Sequence, residues 1–503
     1  MNEMITIILN GKRYEAEPGI CLGDFAAEKA GAALICGGHG KCGKCRGTVA
    51  GNVSEPTERE RAVLTGDELR RGVRLLCRVR AYGDCTVTTG KPSDGQIRTD
   101  GELPAHEHVP AFSSYGAAVD VGTTTIAARL YRKDGTQAAE KSTLNPQRSF
   151  GADVVTRMEA ALAGHAAALA AAVRGAVCEL LCDMAAQAGA DVRQIDGVVI
   201  TGNTVMLHFL TLTDTEPLTH APFAVRRLFG ETVSAASIGL DALLPDAPVY
   251  LPPCVSAFVG ADTVTAVAAS EMIDNDGVFL LTDIGTNGET VLKYGGEVYA
   301  CSTAAGPAFE GAGISMGMGG TTGAIDRVRL LPDGALGVHV IGDVPPTGIC
   351  GSGLVDALSA LCETGAIDET GYIEDDPVQV AGPVVITQND VRAAQLAKSA
   401  IHAGIRTLLH TAGIGCDSVD ALYIAGGFGS YLDVKNAGRI GLIPSELVPR
   451  VRVLGNAALT GASLLLLSLP QRRKYEEAAE KIKLVELASN PVFAAEYMER
   501  MMF

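Results

Sequence analysis

Residues 4–16, MITIILNGKRYEA, set two short runs of strand-forming residues on either side of Asn10 and Gly11, the dipeptide that favours a tight hairpin turn. Downstream, the pattern predicts a short helix over residues 24–30, a strand over 46–49, a charged helix over 57–70 and one or two strands over 73–87. This mixed order predicts a small β-grasp domain over residues 1–90. Residues 91–114 carry Pro, Gly, Ser and charge with no apolar period, which predicts a linker, placed at residues 91–115. Beyond it, apolar strands alternate with Ala-rich helices, as an α/β architecture requires. The most apolar run, AALTGASLLLLSL at residues 457–469, is shorter than the roughly 18 to 20 residues of a membrane span and predicts a buried helix.

A chain of 503 residues exceeds what one core supports, so more than one domain is expected. A net charge of −17 leaves no surplus of Lys and Arg to displace counterions from phosphates, which argues against a nucleic-acid partner. The amino terminus lacks a cationic region followed by an apolar stretch and a cleavage site, so a cytoplasmic protein without a membrane partner is expected. Thirteen cysteines in that setting suggest metal ligands and buried thiols rather than a disulfide framework.

The run CGGHGKCGKC spaces Cys36, Cys42 and Cys45 as C-x5-C-x2-C, and Cys77 follows. Four thiolates satisfy a [2Fe–2S] cluster, and the intervening glycines let backbone N–H groups turn toward sulfur. The alternative is a zinc site, which prefers two C-x2-C pairs or added histidines. The segment resembles the adrenodoxin-like branch of the β-grasp ferredoxins, over about residues 1–90.

Two glycine turns recur, DVGTTT from Asp120 and DIGTNGE from Asp283, each directly after a strand-like run. Such turns present N–H groups to phosphate oxygens, and an Asp at each strand end can hold Mg²⁺ through its waters. Asp120, Gly122, Thr123 and Thr124 in one turn, and Asp283, Gly285, Thr286 and Asn287 in the other, are the candidate ATP-binding residues. Gly426, Gly427 and Gly429 follow a strand and leave backbone bare for an adenine ring. In this order the motifs resemble the actin, sugar-kinase and heat-shock-chaperone superfamily. The resemblance implies a duplicated ribonuclease-H-like unit, with halves at residues 116–270 and 271–455 and returning helices at 456–503. VGADTVTAVAA from Val259 resembles that superfamily's first connecting helix, which makes Asp262 a candidate to orient the attacking water. Simple helix capping is the competing explanation for Asp262.

A ferredoxin fused to an actin-like ATPase resembles the reductive activators of corrinoid enzymes, as do ITGNTVMLHFL from Ile200, CSTAAGPAFEGAGISMGMGG from Cys301 and GICGSGLVDALSAL from Gly348. The stretch between cluster and ATPase is shorter than in the best-known members. The resemblance implies that one electron passes to a corrinoid-binding methyltransferase protein whose cobalt has reached Co(II), with ATP supplying the uphill part and an unspecified reductant refilling the cluster. Residues 301–311 are the candidate client-facing loop, with Ser302 able to touch cobalt. Packing against the phosphate turn is the alternative role for that loop. A small-molecule kinase, an ATP-gated metal-cofactor chaperone and a radical-dehydratase activator are the competing functions.

Overall fold

The computed structural model describes residues 4–30, 40, 45–89, 101–427 and 431–503. Strands β1 (Ile5–Leu9) and β2 (Lys12–Ala16) form the expected hairpin, and Asn10 and Gly11 take the positive φ values of 49° and 82° that its turn demands. Then come β3 (Ile20–Cys21), α1 (Leu22–Ala30) and β4 (Arg46–Val53). The charged helix expected over residues 57–70 is two helices, α2 (Glu58–Val63) and α3 (Gly66–Arg70). Thr57 pairs with Glu60 in a capping box, and Thr65 pairs with Glu68 in the same way, so the second Thr restarts the chain where one helix would have continued. Strands β5 (Val73–Leu75) and β6 (Arg80–Thr89) complete a sheet of order β2-β1-β6-β4-β5 among the described residues. Leu22, Phe25 and Ala26 of α1 pack on that sheet with Ile7, Leu9 and Val87.

The segment read as linker is described from Gly101, and there it lies against the rest of the chain. The Val109 and Ala111 N–H groups donate to Leu467 and Leu466 carbonyls, and Phe112 is buried. A first sheet follows. Strands β7 (Tyr115–Val121), β8 (Thr125–Arg132) and β9 (Gln137–Leu144) form an antiparallel meander. Helices α4 (Val154–Ala160) and α5 (Ala166–Gln187) lead to β10 (Ile195–Gly202), which lies parallel to β7. The span Val154–Gln187 is long and apolar enough by length and composition to cross a bilayer; Gly164, at φ 98°, divides it, and Leu169, Val173, Val177 and Leu181 are buried in the lobe core. Helix α6 (Thr204–Thr211), β11 (Glu231–Ser234), β12 (Pro248–Leu251) and α7 (Ala261–Ser270) close this lobe.

The second sheet repeats the first. Strands β13 (Phe279–Ile284), β14 (Gly288–Tyr294) and β15 (Glu297–Thr303) form its meander. An insertion follows, with β16 (Ala324–Leu330), β17 (Leu336–Val340), β18 (Gly348–Ile349), α8 (Gly351–Glu363), β19 (Val378–Ala381) and β20 (Val384–Ile386). Helix α9 (Gln388–Thr411) then covers the sheet, and β21 (Ala421–Ala425) runs parallel to β13 as β10 does to β7. After α10 (Val434–Arg439) and β22 (Val451–Gly455), helix α11 (Ala457–Leu467) is buried along its whole length. Helix α12 (Leu469–Glu480), β23 (Ile482–Leu484) and α13 (Pro491–Glu499) finish the chain. Strand β23 pairs with β15 and the last helix packs on α9, both in the second lobe, whereas α11 packs on β7 and β10 of the first.

Helices α7 and α11 share a core with residues of both sheets, including Ala118, Val199, Leu281 and Tyr423. Gly461 lies against the Thr265 carbonyl so closely that a side chain there would collide with it. The two helices therefore touch backbone to backbone at the junction of the lobes.

Candidate functional site

Two regions bring the candidate residues together. In the first, Cys45 immediately precedes β4 and Cys77 sits in a 3₁₀ turn after β5; both thiols are buried and their sulfurs are 3.1 Å apart. Metal–sulfur bonds of about 2.3 Å separate two ligands of one tetrahedral ion by about 3.7 Å, so a small opening of this pair fits a shared iron. The neighbouring Cys77 sulfur lowers the Cys45 thiol to about 7, against the opposing effect of burial, which favours the thiolate that binds metal. Cys36 and Cys42 lie outside the described residues.

The pair is held from behind. Gly23 of α1 approaches Cys77 so closely that a Cβ would stand 2.6 Å from the Cys77 Cα. Buried Glu60 accepts from Arg74 at 2.8 and 3.0 Å and from the Leu75 N–H at 3.2 Å, and Leu76 donates to the Cys45 carbonyl at 2.9 Å. Burial alone would raise the Glu60 carboxyl, but Arg74 and Thr57 outweigh it and hold it below its ordinary value. Glu60→Gln leaves Arg74 buried without its counter-charge. It should cost about 3 kcal/mol, seen as a lower midpoint when cluster absorption is followed during heating; an unchanged midpoint would count against this bracing role.

The second region lies where the two meanders turn. Gly122, Thr123 and Thr124 join β7 to β8, and Gly285, Thr286 and Asn287 join β13 to β14, so Asp120 and Asp283 occupy matching strand ends. Asn145 donates to the Gly122 carbonyl at 2.8 Å, and Asn203 donates to the Thr123 hydroxyl at 3.0 Å, which fixes the first turn. Asn456, which caps α11, donates to Asp120 at 3.1 Å. Burial, with Asp262 and Asp283 near it, pushes the Asp120 carboxyl up to about 7. Burial, with Asp262 and Glu310, does the same to Asp283, also to about 7.

Asp262 stands in the first turn of α7 and accepts its own helix's Thr263 N–H at 2.8 Å, while Gly260 is the N-cap. Its carboxyl is pushed up to about 6 by burial, and its charge raises Asp120, Asp283 and Glu289. It is therefore both a helix-end acceptor and a member of the carboxylate group. Gly426 has φ 93°, and a Cβ there would meet the Asp283 carboxylate at 2.6 Å, whereas Gly427 faces open space. The first glycine makes room for Asp283, and only the second has the bare exposed backbone expected of both. Gly429 lies outside the described residues.

Ser302, expected in a loop, belongs to β15, because the meander pairs it with Glu289; its hydroxyl donates to that carboxylate at 3.3 Å. Glu289, Glu310, Arg157, Asn203 and Asn456 escaped the sequence reading. Glu289 closes the DIGTNGE motif and Asn456 lies within LGNAALTG, so both were visible as motif members without an assigned role. Glu310, within CSTAAGPAFEG, and Asn203, within ITGNTVMLHFL, were motif members too, whereas Arg157 reaches the first turn only through the fold. Asp120, Asp262, Asp283 and Glu289 are half-buried and raise one another's carboxyls, a repulsion that a divalent cation among them would relieve.

A cysteine-bearing β-grasp domain joined to two matched lobes, with paired glycine turns beside a group of carboxylates, has the plan of an actin-like ATPase that carries its own electron carrier. Comparison with known proteins narrows this. Residues 7–82 match the 2Fe-2S iron-sulfur cluster binding domain, residues 115–275 the RACo middle region, and residues 277–503 the C-terminal domain of RACo, the ASKHA domain. The chain is 37% identical over 425 residues to the corrinoid activation enzyme RamQ of Eubacterium limosum, covering 77% of this chain and 70% of RamQ. It is 26% identical over 398 residues to the Co(II) methylated amine-specific corrinoid protein reductase of Methanosarcina barkeri, covering 73% of each. The solved structure of a reductive activator for corrinoid, iron-sulfur protein matches with a TM-score of 0.70 and 26% identity, over 99% of this chain and 98% of that one. The chain belongs to the family of reductive activators of corrinoid proteins.

Proposed function

We propose that this protein is an ATP-dependent reductive activator that passes one electron from its [2Fe–2S] cluster to a Co(II) corrinoid protein and restores Co(I). The observation that carries this reading is the joining, in one chain, of a buried thiol pair at 3.1 Å and two lobes with matched Asp-bearing turns. The cluster supplies a single low-potential electron, typically near −400 mV. Moving one charge through each further 100 mV uphill costs about 2.3 kcal/mol, and ATP is the second energy source such a step needs.

In this reading Cys36, Cys42, Cys45 and Cys77 hold the cluster. Asp120 and Asp283 hold Mg²⁺, Asp262 orients water, and Gly122, Thr123, Thr124, Gly285, Thr286 and Asn287 receive phosphates. Gly426 and Gly427 border the adenine. Residues 1–90 carry the electron, residues 116–270 and 271–455 are the halves of the ATPase, and residues 456–503 return across both. The client is a corrinoid-binding methyltransferase protein, and a separate reductant refills the cluster. The reaction takes place in the cytoplasm, a setting supported by the free thiols of the described cysteines. Ser302 is the polar group offered to cobalt. Its hydroxyl must first leave Glu289, so the contact is open to control by the state of the cleft.

Purified protein, a chemical reductant and candidate Co(II) corrinoid proteins, mixed with and without ATP, should give the Co(I) visible spectrum only when ATP is present. Equal yields of Co(I) with and without ATP would reject the ATP-coupled part of the reading.

A further inference from the structure

The Glu310 carboxylate has a position that the ATPase reading leaves unused. It ends the 3₁₀ turn Pro307–Glu310, whose Ala308 and Phe309 are buried in the core of the second lobe. The Gly306 N–H donates to the Thr286 carbonyl at 2.9 Å, which ties this turn to the second phosphate turn. From there Glu310 accepts the Thr286 hydroxyl at 2.8 Å, and the first lobe's Arg157 is near enough for its charge to act on the carboxylate. A Cβ on Gly285 would lie 3.5 Å from its other oxygen. Asp283 is the nearby acidic group whose charge it shares.

A hydroxyl carries one proton to donate. The Thr286 proton given to Glu310 is therefore not available to a phosphate oxygen, and two acceptor-only anions cannot share it. We propose that Glu310 is a tethered stand-in for the terminal phosphate of ATP: it occupies the Thr286 hydroxyl in the nucleotide-free protein and must be displaced when ATP enters. This rests on the assignment of the cleft to ATP. The turn that carries Glu310 continues from the end of β15, where Ser302 lies. Displacement thereby distinguishes ATP from ADP at the start of the segment offered to the client.

The test measures dissociation constants of Mg-ATP and Mg-ADP for wild type, Glu310→Gln and Glu310→Ala, using the full-length cluster-loaded protein and calorimetry. Removing a competing charged acceptor should tighten ATP about tenfold or more in the alanine variant. ADP should change less than about threefold, and glutamine, which keeps the shape and a weaker acceptor, should fall between. ATP binding that is unchanged or weaker in both variants would overturn the proposal, as would equal tightening of ATP and ADP. A collapse of hydrolysis with unaltered affinity would also overturn it, by making Glu310 a group that acts on the attacking water. Wild type that bound no ATP would sink the assignment of the cleft itself.

Discussion

Cys45→Ser and Cys77→Ser should each abolish or strongly perturb the visible iron–sulfur absorption and stop electron delivery to the corrinoid, while the dissociation constant for ATP stays within about twofold. The two sulfurs are buried and 3.1 Å apart, close enough to serve one iron, which loses a thiolate when either is replaced. Serine keeps the size of the side chain but offers a harder oxygen with a shorter bond, which a cluster built on thiolates accepts poorly. Nucleotide binding should persist because the Cys45–Cys77 pair belongs to a separate sheet and core from the turns after Asp120 and Asp283. Each variant would be purified, its absorption spectrum recorded and its ATP affinity measured. A wild-type spectrum in both variants would remove Cys45 and Cys77 from the ligand set.

What could be read from the sequence follows from how local the signal is. Asn10-Gly11 predicts its hairpin because the left-handed backbone that the turn needs is set by those two residues alone. The twin turns after Asp120 and Asp283 were legible for the same reason, since each lies wholly within one β-hairpin. The break between α2 and α3 was equally local, and the second Thr-x-x-Glu pair would have shown it. Arg157 is different. It reaches the Thr123 carbonyl at 2.7 Å from α4, a helix separated from that turn by two strands and a 3₁₀ turn, and no spacing rule links the two. Gly426 was recognised for its lack of a side chain, but the atom that forbids one is an Asp283 oxygen from a strand 143 residues earlier. Local chemistry named the turns. Only packing shows what surrounds them.

The carboxylates around those turns lead to the other large effect. Asp283→Asn and Asp120→Asn should each lower Mg-dependent ATP hydrolysis about 10- to 100-fold, the range for groups that act on a metal through its bound waters. The same variants should be more stable than wild type when metal and nucleotide are absent. Burial raises both carboxyls from 3.8 to about 7, so the folded state holds protons that the unfolded chain releases at lower pH. Stability from these groups is therefore present below about pH 4, falls as pH rises toward 7, and stays low above it. Asparagine keeps the shape and removes the charge, which should add about 1–3 kcal/mol at pH 8 and much less at pH 5. Mg²⁺ with ATP should reverse the order, because the ion repays wild type for keeping its carboxylates charged and the variants bind it weakly. Thermal unfolding at pH 5 and pH 8, with and without Mg-ATP, reads all of these outcomes on one set of samples. Variants that hydrolysed ATP at the wild-type rate would end the metal assignment. Variants less stable than wild type at pH 8 without metal would show that Asp120 and Asp283 brace the turns rather than carry strained charge.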